Sequence, residues 1–118
     1  MTAAEVLIQT ALLGEAIDQG PALVFIADDD MRYIAVNRFA CDSLGYTRDE
    51  LLGLTVSDIA REPDAPDEYE EMQGTGFRRG KALLTRKDGS TVELMYQAAQ
   101  TRVANLALYV SIGFLVAS

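Results

Sequence analysis

The side chains that ordinarily do chemistry are scarce in this sequence. It has no histidine, no tryptophan and a single cysteine, Cys41. The missing histidine removes the commonest metal ligand, the usual general base near neutral pH and the usual axial ligand of haem. A lone thiol forms no internal disulfide, and Cys41 on the inner side of a short helix reads as a small core residue rather than a redox centre. Carboxylates are abundant between Asp58 and Glu71. Their spacing lacks the ligand positions and the glycine of a calcium loop, so a solvated acidic face is expected and no metal site. Arg78, Arg79 and Lys81 read as a solvated basic edge. What remains are hydroxyls in apolar surroundings: Tyr96, Tyr109 and Ser111. Such groups orient a bound molecule by hydrogen bonding, and a mostly apolar pocket with a few of them is what a small-ligand site looks like. An enzyme of the small isomerase kind would need a carboxylate or histidine of shifted pKa in that pocket, and no acidic residue falls on an inward strand position.

These residues sit in strands and short helices whose limits are written in the sequence. Thr91 to Tyr96 alternates Val92, Leu94 and Tyr96 with Thr91, Glu93 and Met95, the period of a strand covered mainly on one side. Asp88-Gly89 before it is a strong hairpin signal, so residues 82–96 read as two antiparallel strands and their turn. Ala22 to Ala27 and Arg32 to Val36 read as an earlier pair joined by a turn at Asp28–Met31. Leu106 to Val116 is a last apolar strand, preceded by a loop over Gln100–Asn105. Between the strand pairs, Asn37 is placed to cap a helix that Gly45 stops. Thr47 and Glu50 form a capping box for a short helix ended by Gly53, and Ser57 to Ala60 reads as one more helical turn. A helix over Asp67–Gln73 would bring Tyr69 and Met72 inward. At the start, Thr2 and Glu5 open a helix that Gly20-Pro21 closes. Val6, Leu7, Ile8, Ala11, Leu12, Leu13, Ala16 and Ile17 give it a wide apolar stripe, part expected to pack on the domain and the rest on a partner chain.

The whole is an α+β chain with an antiparallel sheet, and 118 residues suffice for one domain with its own core. A net charge of −8 argues against binding nucleic acid or an anionic membrane surface. No apolar run approaches the roughly 18 residues of a membrane span, and the N-terminus lacks the basic start of a signal peptide, so a cytoplasmic protein is expected.

Three segments resemble the PAS domain, a sensory module of signalling proteins. Tyr33-Ile-Ala-Val-Asn37 is similar to the family's second strand and the Asn opening its first core helix. Leu44-Gly-Tyr-Thr-Arg-Asp-Glu-Leu-Leu-Gly53 is similar to its l-G-Y-t-x-e-E-l-l-G segment, and Arg86-Lys-Asp-Gly-Ser90 to the hairpin between its third and fourth strands. The resemblance spans Pro21 to Val116. It implies a PAS fold: a five-stranded antiparallel sheet in the order 2-1-5-4-3, with short helices closing a pocket over one face. It also implies a flanking N-terminal helix in residues 1–20 ahead of a PAS domain in 21–118, and ligand sensing or dimerisation without catalysis. Homodimers form through such helices, which gives Val6, Ile8, Leu12, Leu13 and Ile17 as interface candidates. An effector domain such as a histidine kinase is the implied partner, in the manner of two-component systems.

The same resemblance discriminates among cofactors. Light-oxygen-voltage relatives keep a reactive Cys where this chain has Val56, and polar flavin-holding side chains where it has Leu84, Leu94 and Leu115. Haem-binding relatives use a His from the helix near residues 67–73, and this chain has none. Neither flavin nor haem is expected. The remaining site is an apolar cavity lined by Phe25, Ala27, Ala40, Leu44, Ile59, Met72, Leu84, Leu94, Tyr96, Tyr109, Ser111 and Leu115, with room left by Ala27, Ala82, Ala98 and Gly113. The expected function is a sensory module that holds a small, mainly apolar ligand and signals through a homodimer. The alternative is a ligand-free dimerisation or docking module.

Overall fold

The computed structural model describes residues 2–60 and 77–116. At its centre is a five-stranded antiparallel sheet in the order β2-β1-β5-β4-β3, the order the resemblance implies. The strands are β1 (Leu23–Ala27), β2 (Tyr33–Val36), β3 (Phe77–Thr85), β4 (Thr91–Val103) and β5 (Leu106–Leu115). Helix α1 (Ala3–Asp18) precedes them; α2 (Arg38–Leu44), α3 (Arg48–Leu51) and α4 (Val56–Ile59) follow β2. The helix expected over 67–73, with Tyr69 and Met72, lies outside the described residues.

Each helix starts where a side chain replaces a missing backbone partner. The Thr2 hydroxyl accepts from the Glu5 N–H at 3.1 Å, and the Asn37 carbonyl oxygen from the Ala40 N–H at 3.1 Å. At α3 the capping box is complete: Glu50 N–H donates to Thr47 Oγ1 at 3.1 Å and Thr47 N–H to Glu50 Oε1 at 2.9 Å. Asp58 Oδ2 accepts from the Thr55 N–H at 2.9 Å to open α4. Gly45, at φ 80°, closes α2 in the left-handed region. Helices of one turn do not stand alone in water. Here the connection between α3 and α4 is sewn to β2, with Tyr33 N–H donating to Leu54 O at 3.1 Å and Val56 N–H to Met31 O at 2.8 Å.

The hairpins show how far turn residues decide register. At β3–β4, Gly89 N–H donates to Arg86 O at 2.9 Å and Arg86 N–H to Ser90 O at 2.7 Å. Gly89, at φ 91°, is the only residue of this turn in the left-handed region. The loop is therefore Lys87-Asp88-Gly89, a type I turn followed by a left-handed glycine, and not a two-residue Asp-Gly turn. The expected loop over Gln100–Asn105 is corrected. β4 continues to Val103, and Ala104 (φ 52°) and Asn105 (φ 66°) make a two-residue turn with both residues left-handed. Alanine is a poor occupant of that region, so the sequence carries no strong turn signal there.

Inward-facing residues alternate as a one-sided sheet requires: Leu23, Phe25, Ala27, Ala82, Leu84, Leu94 and Ala98 are all buried. Leu44, Leu51 and Ile59 are brought down onto them by α2, α3 and α4, and each is 0% exposed. The expectation that part of the α1 stripe packs on the domain is not met. Val6, Leu7, Ile8, Leu12 and Leu13 are 48–71% exposed, and only Ile17, in the last turn, drops to 38%.

Candidate functional site

The inner face of the sheet can be followed row by row from the strand register. One row runs Leu115–Leu94–Ala82, the next Leu23–Gly113–Tyr96–Gly80, the next Phe25–Ser111–Ala98, and the last Ala27–Tyr109–Gln100. Phe25, Ala40, Leu44, Ile59, Leu84 and Leu94 come together in one apolar cluster with Leu23, Tyr33, Val36, Cys41, Leu51 and Ala82. Tyr109 packs with Ala98 in a second cluster, and Tyr96 touches both. Ala27 is buried, Ser111 is half-buried, and Leu115 lies at the end of its strand, 38% exposed. Met72 falls outside the described residues. Tyr33 and Leu51 belong to this core without having been expected there. Tyr33 comes inward beside Phe25, ring centroids 5.4 Å apart, where the pairing of β1 and β2 shifts register between Ile26 and Ala27. A bulge of that kind leaves no mark in strand alternation.

Of the space expected from small residues, part is taken. A Cβ on Gly113 would lie 2.8–2.9 Å from the Leu94 side chain, which therefore covers the glycine. Beside Phe25, the row carries the small side chains of Ser111 and Ala98, with Tyr96 and Tyr109 in the rows on either side. The Tyr109 hydroxyl lies 3.2 Å from Asp29 Oδ1 in the β1–β2 turn and donates to it. Burial pushes the Cys41 thiol above its ordinary pKa, which keeps it protonated and unreactive. Among the described residues no group of His, Cys, Asp and Glu is placed to hold a metal ion.

The β3–β4 turn is docked against α2 and α3. Arg86 Nε donates to Ser43 O at 3.0 Å and Lys87 N–H to Leu44 O at 2.9 Å, which satisfies carbonyls at the C-terminal end of α2. The Lys87 ammonium sits 2.5 Å from Glu50 Oε2 and, with the Thr47 N–H, holds that carboxyl down to a pKa of about 2. The Ser90 hydroxyl and N–H lower the Asp88 pKa in the same way. An open groove of about 570 Å³ lies along this junction, lined by Asp42, Ser43, Leu44, Gly45, Arg86, Lys87 and Asp88. Its cations already serve Ser43 and Glu50, so it is a structural seam.

Large apolar side chains are exposed on α1 and on the outer face of the sheet. At 100° per residue, Val6, Leu13 and Ile17 form one line along α1, and Ile8 with Leu12 a second, on different sides of the helix. A helix apolar on more than one side is ordinarily a covered helix. The outer sheet face is apolar as well, with Leu83, Met95, Ile112 and Phe114 each 40–54% exposed.

Residues 17–74 match a protein-family profile described as PAS fold. No curated protein matches the sequence. Among solved structures, the PAS domain of an HTR-like protein from Haloarcula marismortui superposes with a TM-score of 0.83 at 22% identity, covering 96% of each chain. A PAS domain from a two-component sensor histidine kinase gives 0.82 at 16% identity, over 94% of this chain and 99% of that one. The light-oxygen-voltage domain of the blue-light photoreceptor Aureochrome1 in its dark state gives 0.68 at 21% identity, over 95% and 83%. At these identities the structures speak for the fold. Among the described residues no helix is long and apolar enough to cross a membrane.

Proposed function

We propose that the chain, whose residues 17–74 match the PAS-fold profile, is a sensory regulatory module without catalysis, acting as a homodimer assembled through α1 and the outer face of the sheet. The observation that carries this is the exposure of Leu7, Ile8, Leu12 and Leu13, each 59–71%, on a helix apolar on more than one side. Two apolar lines need two surfaces. A partner's α1 can cover one line and a partner's sheet face the other, and burial of that area drives association. Native mass spectrometry of the full chain tests it: the expected species is a dimer, and a monomer across the micromolar range would sink the proposal.

A second reading adds a small, mainly apolar ligand over the row of Phe25, Ser111 and Ala98. The small side chains of Ser111 and Ala98, between two tyrosines, favour it. A flavin is a poor fit, because Val56, Leu84, Leu94 and Leu115 offer no thiol and no polar side chain to its ring. A bound mass that survives native ionisation and is lost on denaturation supports this reading; its absence leaves the ligand-free dimerisation module. By analogy with the histidine kinase relative, the output partner is a kinase or similar effector domain, and the site of action is the cytoplasm.

A further inference from the structure

The hold on α1 is concentrated at its last turn, and the groups that hold it belong to the helices walling the interior. Ile17 O accepts from Asn37 Nδ2 at 2.6 Å, and the other bonds of that buried amide go to Ala22 O (2.8 Å), Val24 N–H (3.0 Å) and Ala40 N–H (3.1 Å). One side chain thus ties the end of α1 to the start of β1 and the first turn of α2. Asp18 Oδ1 accepts from the Arg38 N–H at 2.8 Å and from Arg48 Nη2 at 3.0 Å, while Arg48 Nε donates to Val36 O at 3.2 Å. A rigid, planar guanidinium therefore joins the end of α1 to α3 and to the last residue of β2. The connection itself passes close under α2: a Cβ on Gly20 would lie 2.6 Å from the Phe39 ring.

We propose that Asn37, Asp18 and Arg48 form a coupling that fixes the direction of α1 to the position of α2 and α3. A shift of those helices, which carry Ala40, Leu44 and Leu51 of the core, then swings α1. A partner that grips α1 restrains them in return, since coupling between sites is reciprocal. The Arg48–Asp18 pair has side chains 49% and 37% exposed, and pairs so exposed contribute little stability. Its role is geometric. The regulatory meaning rests on the reading that output passes through α1.

Hydrogen–deuterium exchange on the full chain tests the coupling from both sides. Asp18→Asn is read in α2 and α3, and Arg48→Gln in residues 14–20, so each variant is read on the far side of the contact. Both changes are on the surface and leave the core intact. The expected result is exchange faster by about threefold or more on the far side in each case. Arg48→Lys is expected not to restore it, because one ammonium cannot reach both Asp18 and Val36 O in the guanidinium's fixed geometry. Exchange that changes only beside the substituted residue, or full restoration by lysine, would overturn the proposal. Sedimentation of the unaltered chain is a separate readout. A monomer there defeats the dimer reading while the exchange data still decide the coupling, which exists within one chain.

Discussion

The Asn37 amide uses each donor and acceptor it has and joins three elements at once. Asn37→Ala would leave Ala22 O and the N–H groups of Val24 and Ala40 short of a partner, and Ile17 O with backbone N–H donors alone, Gly20 at 3.3 Å among them. The expected cost is about 3 kcal/mol in chemical denaturation. Asn37→Asp, of nearly the same shape, should cost about as much, because it lacks the donors. A near-neutral Asp variant would show that packing and not hydrogen bonding is at work. The capping role of Asn37 was legible from its place before a helical run. Its bonds to Ile17 and Ala22 were not, since they join residues distant in sequence. Ala104 is the opposite case: at φ 52° it occupies a region that costs a side-chain-bearing residue about 1 kcal/mol. Ala104→Gly is expected to raise stability by up to about 1 kcal/mol, and no gain in urea melts would mean the turn is not strained.

Among the elements, the β3–β4 hairpin and α3 are joined by Lys87 and Glu50. The Glu50 carboxyl is held down to a pKa of about 2 from an ordinary 4.5. A lowered pKa stabilises the fold fully above the unfolded value and is lost as pH falls through the folded one. Thermal stability should therefore decline between about pH 4.5 and pH 2, and Glu50→Gln should flatten part of that decline. If the two proteins melt in parallel across that range, the pair does not hold the hairpin. Both sides of this junction were readable as local motifs: Thr47 and Glu50 as a capping box, Arg86 to Ser90 as a turn. That they meet was not legible, because local patterns fix elements and not their docking. The strand order was legible only through the family resemblance. The extension of β4 to Val103 was missed because Ala104, the first of its two turn residues, is not one the geometry prefers.

At the scale of the molecule, the interior and the exterior bear on function unequally. The described interior is well filled, with Leu94 lying over Gly113 and Leu23, Leu44, Leu51 and Ile59 at 0% exposure. The apolar character of α1 was plain in the sequence. Which of its residues the domain would cover was not, because that depends on the path the chain takes past Gly20. In the structure it covers none beyond the last turn, and the apolar lines of α1 are left for another surface. Sedimentation equilibrium of the full chain beside Leu12→Glu and Leu13→Glu tests this most directly, with thermal melts to establish that each variant is folded. The expected result is a dimer for the unaltered chain and, for each variant, a monomer that still melts cooperatively, at a temperature lowered only by loss of the dimer. Folded variants that still sediment as dimers would contradict the account.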